Sequence, residues 1–125
     1  MMTVRSASLN NINNNIRRTL KMQVFTIETI PNRKYEPIAL VEGGMVQSKH
    51  IGKDIGASFK TIVGGELKGY TDMMQEARAV ALQRMIDNAA KYNADAVIGL
   101  RYASSAIVQG AAEVIAYGTA VKFIE

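Results

Sequence analysis

A chain of 125 residues makes one domain, and with no cysteine it has no disulfide, no thiolate nucleophile and no Cys-based zinc or iron–sulfur site. Apolar residues at 48% and charged ones at 21% describe a globular protein, and 6% aromatics without Trp imply an aliphatic core. The net charge of +4 sits in residues 1–21, where Arg5, Arg17, Arg18 and Lys21 stand without an acid. Taking those four from 15 basic residues leaves 11 against 11 acids, so the body is neutral and nucleic acid is not expected as a partner.

Residues 1–21 are basic and Asn-rich. Leu9, Ile12, Ile16 and Leu20 recur at helical spacing, yet five of the seven residues from Leu9 to Asn15 are Asn, a weak helix former. Fraying or disorder is expected there. An acid-free, Ser-containing start also resembles a transit peptide, whereas a secretory signal would need a continuous apolar stretch. The reading adopted is an extension ahead of the body, with Met22 as an alternative start. The absence of cysteine fits a cytoplasmic protein, and no apolar run approaches the ~20 residues of a membrane span.

From Met22 the pattern sharpens. VFTIE (24–28) predicts a strand, PNRKYEP (31–37) a loop, and PIALVEGGMVQS (37–48) a second strand with a bulge or bend at Gly43-Gly44. KHIGKDIGASFKTIV (49–63) places Ile51, Ile55, Phe59 and Ile62 on one helical stripe. Gly52 and Gly56 lie on an adjacent stripe and imply close packing. TIVGGELKGYT follows. A phosphate-binding loop needs a preceding strand and GxxxxGK[ST] or GxGxxG spacing, and neither is present, so this segment predicts a hinge between helices. A long helix is expected from Asp72, capped by Asp72 and Gln75, to about Asn93.

AVIGLRYAS and EVIAYGTAVKFI predict two strands joined as a hairpin at Gly110. Ile98, Leu100 and Tyr102 should share a face. On the last strand Ile115, Tyr117, Thr119, Val121 and Phe123 form a bulky face, opposite Val114, Ala116, Gly118, Ala120 and Lys122. The bulky face is expected on the long helix, leaving the small-residue face to be covered by other subunits.

Candidate chemistry is sparse. Glu66, Asp72, Glu76 and Asp95 fall near helix ends, where carboxylates act as caps or dipole partners, and Asp95 should bond backbone amides at the helix-to-strand turn. Met73, Met74 and Met85 read as core filling, Tyr70 as packing, and Arg78 with Glu66 or Glu76 as a structural ion pair. His50 and Asp54, four apart on the first helix, are an incomplete metal site and are read as a solvent-facing pair.

The blocks TIVGGELKGYT, MQEAR, NADAVIGLRY and GTAVKF, in that order and spacing, resemble the YbjQ-like family over residues 22–125. The resemblance implies an α+β fold in which an antiparallel sheet packs against a long and a shorter helix. It further implies a dodecin-like arrangement of these elements, assembled into a ring, typically a pentamer. It implies no particular activity, although the family carries a heavy-metal-binding label that a chain with one His and no Cys supports weakly. The function expected is therefore a non-enzymatic, ring-forming homo-oligomer acting as a binding or scaffolding module. The alternative is a metal- or small-ligand-binding protein whose site forms between subunits. No catalytic, cofactor or metal residue and no membrane contact are assigned.

Overall fold

The structure, a computed structural model, describes residues 9–14, 22–48, 68–108 and 110–124. Residues 9–14 are helical (α1), with Leu9 and Ile12 exposed. Their spacing permitted this and their Asn content argued against it. The expected first helix, with His50, Asp54, Gly52 and Gly56, lies outside the described residues, as do Glu66 and the Gly64-Gly65 part of the hinge.

Four strands form one sheet in the order β1-β3-β4-β2, where β1 is Gln23–Val24, β2 Tyr35–Ser48, β3 Ala96–Val108 and β4 Ala111–Phe123. β2–β4 and β3–β4 are antiparallel, and the hairpin turns at Gly110 as expected. β1 runs parallel to β3, so the sheet is mixed and not purely antiparallel. The first strand is shorter than VFTIE suggested, yet its ladder persists. Phe25 donates to the Val97 carbonyl at 2.8 Å, Leu100 to Phe25 at 2.9 Å and Gly99 to Ile27 at 2.8 Å.

The long helix, α2, spans Lys68–Lys91, and 24 residues make it about 36 Å long. It begins one turn earlier than expected, so Gly69 and Asp72 lie inside it and Asp72 is not its cap. Its C-terminus closes on Asn93, which takes the left-handed conformation (φ 58). Asn93 donates to the Ala90 carbonyl at 3.0 Å and Ala94 reaches back to Ala89 at 3.3 Å, the two bonds of a Schellman cap.

Packing reverses the predicted faces. Met73, Ala77, Ala81, Met85 and Ala89 recur every four residues and are all buried. This ridge lies on Val41, Val97, Val114, Ala116 and Ala120, so the small-residue side of β4 carries the helix. The cause is the distance of approach. A Cβ on Gly43 would overlap the backbone nitrogen of Met85 and the carbonyl oxygen of Ala81, so α2 touches β2 backbone to backbone. Only small residues around that point let a helix settle so close. Gly43-Gly44 is accordingly neither bulge nor bend, and the irregularity in β2 falls between Pro37 and Ala39.

A second bulge separates Ile98 from Arg101, with Gly99 at φ 65, where a side chain would be strained. It puts Ile98 and Leu100 in different clusters, contrary to the shared face predicted. Ile98 joins Ala96 and Val121 in a second core on the far side of the sheet, lidded by Phe25, Ile30, Tyr35 and Phe123. Met73 and Met85 are core residues, as their helical spacing implied.

The contact at Gly43 generates a paired prediction. Gly43→Ala should lower stability by roughly 3 kcal/mol or more, because the obstructing atoms are backbone and cannot swing aside. Gly44→Ala has nothing nearer than the Ile115 Cγ1 at 3.9 Å and should cost far less. Urea unfolding of both variants beside the parent measures the difference, and equal losses would refute the close contact.

Candidate functional site

Two surfaces stand out once the core is assigned. The first is the sheet face turned away from α2. Antiparallel register sets Leu40 opposite Thr119, Glu42 opposite Tyr117, Gly44 opposite Ile115 and Val46 opposite Glu113. Arg101 and Ala103 continue the Tyr117 and Ile115 rows onto β3. Leu40 is 69% exposed, Val46 57% and Tyr117 38%, so this is an apolar face with charged residues interspersed.

The second surface is a groove of about 690 Å³ at the outer edge of β2, lined among others by Glu42, Gly44, Met45, Arg84, Glu113 and Ile115. A shallower continuation reaches Asp87, Asn88 and Lys91 of α2. The helix reaches over the strand edge here. Arg84 Nη1 donates to the Gly44 carbonyl at 2.7 Å, and the Glu42 N–H donates to Asn88 Oδ1 at 3.1 Å. Arg84 and Asn88 are four residues apart, which puts both on the helix flank beside the buried Ala81–Met85–Ala89 ridge.

The residues singled out in the sequence do not converge on either surface. Asp95 does bond a backbone amide, but that of Phe123 on β4 (2.8 Å), with Lys122 Nζ 4.0 Å from the same carboxylate oxygen. Lys122 Nζ also donates to the Asn93 carbonyl at 3.1 Å, so the cluster ties the helix exit to the last strand. Glu76 accepts a long 3.5 Å bond from Gln47 Nε2, and Glu66, the other acid expected to pair with Arg78, lies outside the described residues. Tyr70 is half-buried in the first turn of α2. Arg84 and Asn88 were missed as functional candidates, and their i,i+4 spacing beside the apolar ridge is the signal that pointed to them.

Chemically the groove offers acids, a guanidinium and an ammonium in the open. Among the described residues no three His, Cys, Asp or Glu side chains are grouped to hold a metal ion. Among the same residues no helix is long and apolar enough to cross a membrane.

Comparison with known proteins places the chain among close relatives. A family model, YbjQ_1, described as "Putative heavy-metal-binding", matches residues 22–124. A UPF0145 protein of Thermotoga petrophila is 59% identical over 102 residues, covering 81% of this chain and 96% of the relative. One from Vibrio campbellii is 55% identical over 100 residues, covering 79% and 96%. Among solved structures, a protein of unknown function of the DUF74 family from Pediococcus pentosaceus superposes with a TM-score of 0.55. At 21% identity, over 82% of this chain and 97% of that one, it supports the fold alone.

The groove yields one stability prediction. Arg84→Ala should cost about 1 kcal/mol in urea unfolding, the worth of one largely exposed charge-assisted hydrogen bond. A loss as large as that for Gly43→Ala would mean that Arg84 carries core packing and not an edge contact.

Proposed function

The chain belongs to the YbjQ_1 family, and from that premise we propose that it works as a homo-oligomeric binding or scaffolding module and not as an enzyme. Its copies pack through the sheet face turned away from α2, closing a ring of five, in the cytoplasm. One observation supports this above all. Leu40, Val46 and Tyr117 are exposed on the sheet face turned away from α2, among Glu42 and Glu113, while α2 covers β2 and β4 on the other side. A single soluble protomer seldom leaves so much apolar surface in water, and burying it stabilises assembly by about 25 cal/mol per Å² before association costs. The sequence-based reading had a sheet face covered by neighbouring subunits. That part of it is retained, with the opposite face in the role.

The family's description raises a second reading, a metal or small-ligand site formed between subunits. The donor set of this chain argues against a zinc-type site, since it has no thiolate and one imidazole, His50, and its remaining soft donors are Met thioethers. Native mass spectrometry and elemental analysis of one purified sample separate the readings. The expected result is a single closed oligomer carrying only substoichiometric transition metal. A strict monomer at micromolar concentration overturns the assembly reading, and a stoichiometric metal moves the function to the seam.

A further inference from the structure

Gly44 interrupts a row of side chains. On the face turned away from α2, β2 sets out Glu42, Gly44 and Val46 in succession, while β4 places Ile115 opposite the glycine and Glu113 opposite Val46. A Cβ at Gly44 would meet nothing nearer than the Ile115 Cγ1 at 3.9 Å, and the backbone there is not left-handed. The strand would therefore accept a side chain at this position, and its absence leaves a notch. The groove of about 690 Å³ opens at that notch.

The centre and the two ends of the notch differ in chemistry. Ile115 and Val46 supply apolar surface around Gly44. Glu42 and Glu113 stand on either side of the gap, four residues apart in register, which is about 13 Å along the strand. Glu42 is exposed and Glu113 half-buried, and among the described residues neither carboxylate has a hydrogen-bond or ion-pair partner. A carboxylate partly withdrawn from water loses hydration that a bound cation restores. Arg84 is the opposing charge in the lining, and its Nη1 already donates to the Gly44 carbonyl at 2.7 Å. The lining thus carries two carboxylates to one guanidinium.

We infer that the notch at Gly44 binds a linear aliphatic diamine of the polyamine class, with one ammonium on Glu42, the other on Glu113, and the methylene chain over Gly44 against Ile115. This rests on the binding-module reading above and deepens it by naming a ligand class. Two acids separated by an apolar gap match two cations separated by an apolar span. A monoamine of the same length reaches one acid and leaves the other unpaired. An amino acid of the same length turns a carboxylate toward one of the two glutamates. A single metal ion cannot draw on both, because they stand too far apart along the strand, in keeping with the lack of a grouped ligand set among the described residues. Any side chain at position 44 would lie in the path of the methylenes.

The test is isothermal titration calorimetry of the full chain with putrescine at low ionic strength, where exposed ion pairs are least screened. Saturable binding is expected. Replacing both acids, Glu42→Gln with Glu113→Gln, should raise the dissociation constant about tenfold, the combined effect of two largely exposed ion pairs. Gly44→Val, which fills the notch and removes no charge, should weaken binding comparably while far-UV circular dichroism stays at the parent signal. If the valine variant does not fold, the glutamine pair decides the matter. Glu36→Gln, on β2 outside the groove, should leave the affinity unchanged. The one-ended probes n-butylamine and γ-aminobutyrate should bind about tenfold more weakly than putrescine. No saturable heat with putrescine, an equal loss in Glu36→Gln, or either one-ended probe binding as well as putrescine overturns the site. Native mass spectrometry of the same sample keeps the two readings apart. An oligomer that ignores putrescine ends the diamine site alone, and a monomer that binds it ends the assembly alone.

Discussion

The backbone of α2 rests on the backbone of β2 at Gly43, and most of the architecture follows from that contact. A helix so close to a sheet admits only small side chains around the meeting point. Ala77, Ala81 and Ala89 on the helix and Ala116 and Ala120 on β4 meet that requirement. Met85 and the valines fill what remains, which makes the core thin, aliphatic and tightly specified. The larger side chains of β4 and β2 are thereby assigned to the opposite side. Among the described residues that side is covered at the β1 end, by Phe25, Ile30, Tyr35 and Phe123, and is more exposed around Tyr117.

Arg84 and Asn88 of the helix bond the outer edge of β2, and Arg101 bonds the Thr26 carbonyl beyond β1. The exposed acids and bases of the groove contribute little to stability where they stand. Their organisation along a strand edge fits the role of keeping that edge unpaired.

Much of this was legible in the residues, and the failures have physical causes. The long helix and the hairpin at Gly110 follow from helix-forming composition and from alternation around a turn residue, both local properties. Alternation also shows which residues share a face, but not which face is buried. The assumption that the bulkier face of β4 belongs inside failed because Gly43 brings the helix too near for Ile115 or Tyr117 to fit. The same glycine was read as a bulge because a close approach by a distant segment leaves no local trace. Asp72 matched a capping pattern that the helix overran by a turn, and the bulge at Gly99 broke the alternation on which the Ile98, Leu100 and Tyr102 face depended. The parallel pairing of β1 is a long-range choice that a short apolar run cannot announce. The β2 groove was invisible for a related reason, since it joins residues 40 or more positions apart.

Hydroxyl-radical footprinting of the intact protein, read by mass spectrometry across a dilution series, tests the central contact most directly. If α2 lies on Gly43, Met85 stays unreactive at every concentration, although methionine is among the most readily oxidised side chains. Leu40 and Tyr117 then react strongly when dilute and become shielded as concentration rises. Oxidation of Met85 in the folded protein, or reactivity at Leu40 and Tyr117 that ignores concentration, would contradict the account.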